Sequence, residues 1–204
     1  MNKAVENTVK LVLATGNPGK LKEFKALTQR AGFSNLEVNL APEGFGPEET
    51  GTTFAANALI KASEAARLTG ELSLADDSGI CVDFLEGGPG VYSARYDKTD
   101  QLARTKLLNA LRDVPDDKRG AHFVSALALV GGDGKIVFTC QESWHGKIAH
   151  EERGEHGFGF DPIFIPAGYD ISSAEMLPEL KNQLSHRAKA WFDLEKFLRS
   201  YLPA

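Results

Sequence analysis

The sequence of 204 residues has few cysteines and no apolar run long enough to cross a membrane. Its two cysteines, Cys81 and Cys140, each lie inside an apparent strand, which favours two buried thiols over a disulfide framework or a metal site. The residues that follow Met1 are polar and lack the apolar core of a signal peptide. We therefore expect a cytoplasmic protein.

The chain also lacks an excess of positive charge, since 23 lysines and arginines stand against 28 aspartates and glutamates, giving a net charge of −5. Surfaces that bind nucleic acid are normally basic. We therefore expect neither a nucleic acid nor a membrane as a partner, and any recognition of phosphate must be local. A composition of 42% hydrophobic and 25% charged residues is typical of a soluble globular protein. The length suits a single α/β domain over residues 1–204.

The most informative stretch has the sequence SLADDSGICV, at positions 73–82, where two carboxylates interrupt a run of apolar residues. The apolar residues on either side predict strands of a buried sheet. The adjacent anions Asp76 and Asp77 repel each other and lose solvation, so a cation should lie beside them. Hydrated Mg²⁺ suits this position, because it takes one or two carboxylates and leaves its other positions to water and phosphate. The alternative is an ordinary turn, since Asp, Ser and Gly are common turn residues.

A second informative stretch lies near the start of the chain. A strand is predicted at 9–14 and a helix from about Leu21 to Ala31, with the tight loop Thr15-Gly16-Asn17-Pro18-Gly19-Lys20 between them. Backbone N–H groups, the helix dipole and the Lys20 charge could together cradle an anion there. The loop is not a Walker motif, because Leu21 stands where Ser or Thr would hold magnesium. Asp76 and Asp77 are therefore the available metal ligands. The alternative is a Pro-Gly turn that simply enters a helix.

Acidic residues also precede a second predicted helix, which runs from about Phe54 to Leu68. Glu48 is explained by a favourable interaction with the helix dipole. Asn57, Lys61 and Glu64 recur at helical spacing on one polar face, a pattern that is typical of the solvated side of a helix.

A glycine-rich turn in the second half of the chain predicts an antiparallel hairpin. The runs from His122 to Val130 and from Lys135 to Glu142 flank the sequence GGDG at 131–134. The sheet is therefore expected to be mixed. Further on, the segment GEHGFGFDPIF at 154–164 interleaves aromatic residues with glycines. Exposed rings on such a flexible backbone can stack on a flat base.

The last helix is predicted to begin within the segment 181–187, with an apolar stripe that ends at Tyr201. If Ser185 is the N-cap, His186 and Arg187 occupy the first turn, where a cation faces the positive end of the helix dipole. This placement is unfavourable by a few tenths to about 1 kcal/mol. It suggests that the two residues serve a ligand, the alternative being chance placement on the surface.

Five motifs thus occur in one order along the chain: TGNPGK at 15–20, EETG at 48–51 followed by Asn57 and Lys61, DDSG at 76–79, GFGFDP at 157–162 and SHR at 185–187. Together they resemble the inosine triphosphate pyrophosphatase family over about Leu11 to Leu198. The resemblance to its bacterial branch implies a Mg²⁺-dependent hydrolase that converts ITP, dITP and XTP to the monophosphate and pyrophosphate. It also implies a homodimer with one metal ion per subunit. The implied fold is an elongated α/β protein whose long mixed sheet, flanked by helices, floors a cleft between two lobes.

The same resemblance assigns roles to individual residues. It assigns the triphosphate to Thr15, Gly16, Asn17, Pro18, Gly19, Lys20 and Lys61. It assigns the metal to Glu49 and Asp77, with Asp76 as a further acid and Glu48 as an alternative to Glu49, and makes Asp77 the proton acceptor. Substrate contacts fall to Ser78, and the base and ribose to Phe158, Gly159, Phe160, Asp161, Lys181, His186 and Arg187. Phe160 stands where relatives often carry Tyr or Trp.

These assignments describe attack of water on the α-phosphorus, for which positioning and electrostatics should carry most of the rate. Donors such as Arg187 or Lys181 would select bases that carry a 6-oxo acceptor. Two alternatives stay open from the sequence. One is a nucleotide-binding sensor that does not turn over its ligand, and the other is a pyrophosphatase for modified or pyrimidine nucleotides.

Overall fold

A computed structural model describes residues 8–33 and 35–202 of the chain. The segment from Met1 to Asn7, on which the signal-peptide prediction rests, lies outside these residues. The described strands are β1 (Val9–Leu13), β2 (Leu36–Leu40), β3 (Leu72–Val82), β4 (Gly120–Val130), β5 (Ile136–Ile148) and β6 (Phe164–Pro166). The described α-helices are α1 (Pro18–Ala31), α2 (Phe54–Thr69), α3 (Asp100–Ala110), α4 (Pro178–Leu184) and α5 (His186–Tyr201). Among these helices, none has the length and apolar character that spanning a membrane requires.

The six described strands form a mixed sheet in the order β2-β1-β3-β4-β5-β6. Strand β1 pairs in parallel with β2 and β3, whereas β6 pairs antiparallel with β5. Strands β4 and β5 are neighbours joined by the glycine turn, where the Gly131 N–H donates to the carbonyl of Lys135. The predicted α/β class and mixed sheet are confirmed. Strand β5 continues six residues beyond the predicted end at Glu142.

The stretch that contains the paired aspartates forms one uninterrupted strand. The predicted strand structure on both sides of the acids is confirmed and the alternative of a turn is wrong, because β3 runs through Asp76, Asp77 and Gly79 to Val82. Successive side chains of a strand point to opposite faces of the sheet, so neighbouring carboxylates need not compete for the same partner. Gly79 fits at this point because a side chain there would collide with the Gly90 carbonyl and Ser93 of the following loop.

Contacts between Cα atoms divide the chain into two compact units, each with its own core. The first unit contains the chain up to Asp77, together with Ala126–Cys140 and the residues from Ala190 onward. Its core joins β1 to α1 and α5, and the ring of Phe24 meets that of Trp191 edge to face at 6.0 Å between centroids. Helix α2 contributes a face of buried alanines: Ala58, Ala62, Ala65 and Ala66.

The second unit contains Ser78–Ser125 and Gln141–Lys189. Its core is aromatic, since the Phe123 and Phe164 rings pack edge to face at 4.7 Å between centroids. Arg119 is also buried in this unit, and its guanidinium donates hydrogen bonds to four backbone carbonyls. The acceptors are Leu111, Val114, Ile148 and Ala149, at 2.6, 3.5, 2.9 and 2.7 Å. This buried cation therefore ties together the ends of α3 and β5.

Both cysteines lie in strands, Cys81 in β3 and Cys140 in β5, and both are free thiols and half-buried. Burial raises the pKa of the Cys81 thiol, with a smaller contribution from the carboxylate of Asp83. The expectation of two thiols rather than a disulfide is confirmed for this pair.

Candidate active site

Five charged residues of the first unit form a group that we call the acidic cluster: Lys20, Glu49, Lys61, Asp76 and Asp77. In this group Lys20 projects from the first turn of α1 to the middle of β3. Its ammonium lies 3.1 Å from Asp76 Oδ2 and donates to the Asp76 backbone carbonyl at 3.0 Å. A cation therefore lies beside the paired aspartates, as their adjacent charges predict, and it belongs to the last residue of the opening motif.

Lys61 lies between two carboxylates of the acidic cluster. Its ammonium donates to Asp77 Oδ1 at 2.6 Å and to Glu49 Oε1 at 3.1 Å. The expectation that this face of α2 is solvated is wrong for Lys61, which is only 9% exposed, and for Asn57, which is fully buried. It holds for Glu64, which is partly exposed and pairs with Arg67. The polar stripe faces β3, where the aspartates supply a partner for the ammonium.

The balance of charge in the acidic cluster shifts two pKa values. Burial raises the pKa of Asp77, and the nearby ammonium groups of Lys61 and Lys20 offset this only in part. Burial alone would lower the pKa of Lys61, but the carboxylates of Asp77 and Glu49 outweigh it and leave this pKa above its ordinary value. Lys61 is therefore a firmly protonated cation beside a carboxylate that binds protons more readily than usual.

The donor set of the acidic cluster fits a hard divalent cation held by few protein ligands. Asp77 Oδ2 is buried and has no hydrogen-bond partner within the described part of the chain. An orphaned buried carboxylate oxygen is expensive unless a cation or ligand completes it. Over residues 8–33 and 35–202, no three carboxylate, thiol or imidazole groups are arranged to hold a metal ion without further ligands.

A tight turn before α2 fixes the position of Glu49. The Gly51 N–H donates to Asn57 Oδ1 at 2.8 Å, and a side chain at position 51 would collide with that oxygen and with Ala56 Cβ. The turn thus lies against the buried side chain of Asn57. Glu49 is partly buried and reaches Lys61, whereas Glu48 is exposed. This geometry favours Glu49 over Glu48 as the acid of this site.

The opening loop is shorter than the sequence predicts, because α1 begins at Pro18 and not at Leu21. Asn17 is the N-cap, and its Oδ1 accepts from the N–H groups of Gly19 and Lys20 at 2.8 and 3.1 Å. Pro18 suits the first helical position because its missing N–H is not needed there. Two of the N–H groups expected to cradle an anion are therefore donated to Asn17, and a phosphate must displace this side chain to reach them.

A second group, in the other unit, we call the Arg187 cluster: Ser78, Phe158, Asp161, Lys181 and Arg187. The guanidinium of Arg187 is buried and donates to Ser78 Oγ at 2.9 Å. Arg187 and Lys181 also lie near the Phe158 ring, at 5.7 and 5.2 Å from its centroid. Two cationic side chains thus lie within 6 Å of a partly exposed aromatic ring.

Asp161 accepts hydrogen bonds from two members of the Arg187 cluster and from Ser173. Its Oδ2 accepts from Lys181 Nζ at 2.6 Å and from the Phe158 N–H at 2.8 Å, and its Oδ1 accepts from Ser173 Oγ at 2.8 Å. Asp161 is 2% exposed. Its carboxylate therefore holds both Lys181 and the backbone of Phe158 in place.

The SHR motif lies where two helices meet. The last helix begins within the predicted segment, since α5 starts at His186, and a short helix that was not predicted, α4, ends just before it at Leu184. Tyr201, predicted at the end of the apolar stripe, is exposed. Ser185 caps α5 as predicted, with Oγ accepting from the Ala188 N–H at 3.2 Å. The buried His186 ring stacks on Phe123 at 4.8 Å between centroids, with the planes 9° apart.

The two phenylalanines of the GFGFDP motif differ in their surroundings. The expectation that both rings are exposed is wrong for Phe160, which is 6% exposed and lies in the core of its unit. Its ring centroid is 6.4 Å from that of Tyr96. Phe158 is therefore the ring of this motif that is accessible for stacking.

Sequence reasoning missed two residues of α3 that bind the backbone between these rings. Asp100 and Arg104 hydrogen-bond the two polar groups of Gly159. An acidic residue in the first turn of a helix and an arginine one turn later are both common on helix surfaces. No local signal in the sequence therefore marks Asp100 and Arg104 as partners of this loop.

Comparisons with known proteins bear on the whole chain. Residues 11–197 match the sequence profile of the Ham1 family. The chain is 50% identical over 190 residues to a dITP/XTP pyrophosphatase of Pseudomonas aeruginosa, covering 88% of this chain and 92% of that protein. Among solved structures, a Ham1 protein from Coxiella burnetii superposes with a TM-score of 0.83 at 37% identity, over 94% of this chain and 99% of the other. A Ham1 protein from Staphylococcus aureus gives the same TM-score of 0.83 and identity of 37%, over 95% of this chain and 100% of the other.

Proposed function

Because this chain belongs to the Ham1 family, we propose that it hydrolyses non-standard purine nucleoside triphosphates, such as ITP, dITP and XTP, to the monophosphate and pyrophosphate. Membership of this family agrees with the resemblance drawn from the five sequence motifs. A relative that is 50% identical is named a dITP/XTP pyrophosphatase, which supports this substrate class. The chemistry rests on the residues of the acidic cluster and the Arg187 cluster.

The observation that carries the proposal is the buried pair of Asp77 and Lys61. One oxygen of Asp77 is bonded to Lys61 at 2.6 Å, and the other is buried without a hydrogen-bond partner in the described chain. A carboxylate in this condition is suited to hold a cation or to accept a proton.

We assign Glu49 and Asp77 as the residues that would hold one Mg²⁺ per subunit, with Asp76 as the adjacent acid. When bound, the ion would neutralise charge on the phosphate oxygens and orient them. Lys61, which now lies within 3.1 Å of both proposed ligands, occupies the place where positive charge is required.

The triphosphate would contact the opening loop and the lysines. Lys20 and Lys61 supply full positive charges that can stabilise the leaving pyrophosphate. Thr15, Gly16, Asn17, Pro18 and Gly19 would enclose the phosphates, with Asn17 releasing the N–H groups that it now caps. A helix N-terminus supports this role, since its N–H groups and dipole favour an anion.

Asp77 would accept the proton from the attacking water. Burial raises the pKa of this carboxyl above its ordinary value, partly offset by Lys61. Its Oδ2, which is buried and has no hydrogen-bond partner among the described residues, is the atom available to accept this proton. The water would attack the α-phosphorus, and the bond to the bridging oxygen of the pyrophosphate would break.

The Arg187 cluster would recognise the base and ribose. Phe158 supplies the accessible ring for stacking, and Ser78, Lys181, His186 and Arg187 supply polar groups around it. Gly159, Phe160 and Asp161 hold this loop in position. A 6-oxo purine offers an acceptor to Arg187 or Lys181 where adenine offers a donor. A buried unpaired donor costs roughly 1–3 kcal/mol, and two such mismatches give about a hundredfold discrimination.

We propose that the active form is a homodimer, as the family resemblance implies. Light scattering of the purified protein should give the mass of a dimer at micromolar concentration. A monomer mass that persists under conditions of full activity would refute this assembly.

A nucleotide panel with product identification tests the function. The purified protein is incubated with Mg²⁺ and ITP, dITP, XTP, GTP, ATP, CTP or UTP, and the products are separated by ion-exchange chromatography. We expect IMP and pyrophosphate from ITP, with ATP, which lacks the 6-oxo acceptor, cleaved at least about a hundredfold more slowly. GTP shares the 6-oxo group, so any discrimination against it must act on its 2-amino group. Release of IDP and orthophosphate would reassign the cleaved bond. Tight ITP binding without turnover would instead identify a sensor, and a preference for CTP or UTP would indicate a pyrimidine enzyme.

A further inference from the structure

Helix α3 binds both backbone polar groups of a single residue in the GFGFDP loop. The Gly159 N–H donates to Asp100 Oδ2 at 2.9 Å, and the Gly159 carbonyl accepts from an Nη1–H of Arg104 at 2.9 Å. The two side chains are four positions apart and so lie on one face of α3. Together they satisfy both backbone hydrogen-bonding groups of Gly159, its N–H donor and its carbonyl acceptor.

Arg104 also forms an ion pair with a residue that precedes the loop. Its Nε lies 2.9 Å from Glu152 Oε2, and the Arg104 side chain is only 14% exposed. The Nε atom makes no hydrogen bond among the described residues, so the attraction here is one of charge. Arg104 thus contacts both Glu152, five residues before the GFGFDP loop, and Gly159 within it.

Gly159 lies between two phenylalanines, Phe158 and Phe160, whose surroundings differ. Phe158 lies beside Lys181 and Arg187, whereas Phe160 is buried in the core. Gly159 has a φ of +60°, and Gly157 on the other side of Phe158 has a φ of +78°. Glycines in this region have many accessible conformations, so the backbone of Phe158 needs external bonds to stay in one position.

We propose that Asp100 and Arg104 are positioning residues, which fix the Gly159 peptide and thereby hold Phe158 ready to stack on the base. This inference rests on the proposed function of the Arg187 cluster. A binding loop that is already ordered loses less conformational entropy when its ligand arrives, so these two hydrogen bonds should increase affinity for the base. They should not alter the handling of the triphosphate, because no residue of the acidic cluster takes part in them.

A purely structural role for the same residues makes a different prediction. Asp100 lies in the first turn of α3, where any acid favours the helix dipole. Arg104 and Glu152 could likewise form an ion pair that only stabilises the fold. In that case the substitutions would lower thermal stability without a specific effect on base affinity.

The test compares ligands that carry the base with ligands that do not. The variants Asp100→Leu and Arg104→Gln are matched with Asp100→Asn, which keeps a hydrogen-bond acceptor but loses the charge. Asn109→Ala is the control on the same helix, since Asn109 is exposed and its amide accepts only from Arg112 among the bonds described for it. For each protein, the inhibition constants of IMP and of inorganic tripolyphosphate are measured together with kcat and KM for ITP and the thermal midpoint.

We expect Asp100→Leu and Arg104→Gln to weaken IMP binding about tenfold and to raise KM for ITP to a similar extent. The value of kcat and the inhibition by tripolyphosphate should change by less than about twofold. Asp100→Asn and Asn109→Ala should stay within about twofold of the wild type for every ligand.

Two results would overturn the inference while leaving the proposed function intact. One is IMP affinity that is unchanged in Asp100→Leu and Arg104→Gln, with ITP still cleaved by the wild type. The other is an equal loss of IMP and tripolyphosphate binding with a lowered thermal midpoint, which indicates a structural role. A wild-type protein that neither cleaves ITP nor binds IMP would overturn the proposed function and this inference with it.

Discussion

The ammonium of Lys61 lies 2.6 Å from Oδ1 of Asp77, and the two side chains are 11% and 8% exposed. This pair allows an acidic residue to lie in the middle of a buried strand. Its neighbour Asp76 has a separate partner in Lys20, at 3.1 Å. Each aspartate is therefore neutralised by a lysine from a different helix.

Removing the ammonium of Lys61 should destabilise the protein strongly in the absence of metal. Breaking a buried ion pair from one side costs about 3–5 kcal/mol, because the remaining charge stays buried. We expect Lys61→Met to lower the free energy of unfolding in urea by this order, and added Mg²⁺ to restore part of it. Lys135→Met is the control, since Lys135 pairs with Asp133 on the exposed glycine turn. It should have no measurable effect, and equal effects of the two substitutions would contradict this account of the pair.

Asn17 should have separable roles in stability and in binding phosphate. Its side chain caps α1, and losing an N-cap of this type costs about 1 kcal/mol. We expect Asn17→Ala to show this loss in urea denaturation, whereas Asn17→Asp should retain wild-type stability because aspartate caps equally well. The added charge of Asn17→Asp should nevertheless weaken inhibition by tripolyphosphate. Unchanged inhibition in this variant would place the triphosphate away from the opening loop.

Gly79 should be difficult to replace because of its surroundings. A methyl group there would collide with the Gly90 carbonyl and the side chain of Ser93. Overpacking of this kind costs about 1–3 kcal/mol. We expect Gly79→Ala to lower the free energy of unfolding by this amount, whereas Gly46→Ala, with nothing within 4 Å of the new methyl group, should be close to neutral. A neutral Gly79→Ala would mean that the loop at 90–93 does not pack on β3 as described.

His122 should make stability depend on pH. Burial lowers the pKa of this imidazole, and the stacked ring of His145 lowers it further, while Asp83 opposes the shift. The folded protein then binds a proton on His122 less readily than the unfolded chain. The contribution of neutral His122 to the free energy of unfolding is therefore fully present above about pH 6.5, the ordinary pKa of histidine. It is lost as the pH falls through the lower pKa that His122 has in the folded protein.

The variant His122→Gln should remove this dependence. We expect the decrease in the free energy of unfolding between pH 7.5 and 5 to be smaller in the variant than in the wild type, as measured by urea denaturation at each pH. An equal or larger decrease in the variant would show that His122 does not contribute in this direction.

The sequence predicts much of this fold because local signals and tertiary structure agree. The hairpin at Gly131–Gly134, the cap at Ser185 and the helix that begins at Phe54 all follow from turn and capping chemistry. The paired aspartates were expected to have a cation beside them, and Lys20 and Lys61 are such cations. These features depend on residues near each other in sequence or on unbalanced charge, which a sequence displays.

Other features depend on tertiary partners that local patterns do not show. A polar stripe with Asn57 and Lys61 looks solvated until β3 supplies buried acids on the facing side. Paired aspartates look like a turn unless lysines from two helices neutralise them within a strand. Asp100 and Arg104 carry no local mark at all, because their partner is the backbone of a glycine 59 and 55 residues away.

Hydrolysis of ITP in water enriched in oxygen-18 tests the central claim most directly. Products of a single turnover with Mg²⁺ are analysed by mass spectrometry for the wild type and for Asp77→Asn, which removes the proposed proton acceptor while keeping its shape. The account predicts one heavy oxygen in IMP, none in pyrophosphate, and a rate for Asp77→Asn that is lower by at least about a hundredfold. Heavy oxygen in pyrophosphate or orthophosphate, or full activity of Asp77→Asn, would contradict attack at the α-phosphorus assisted by Asp77.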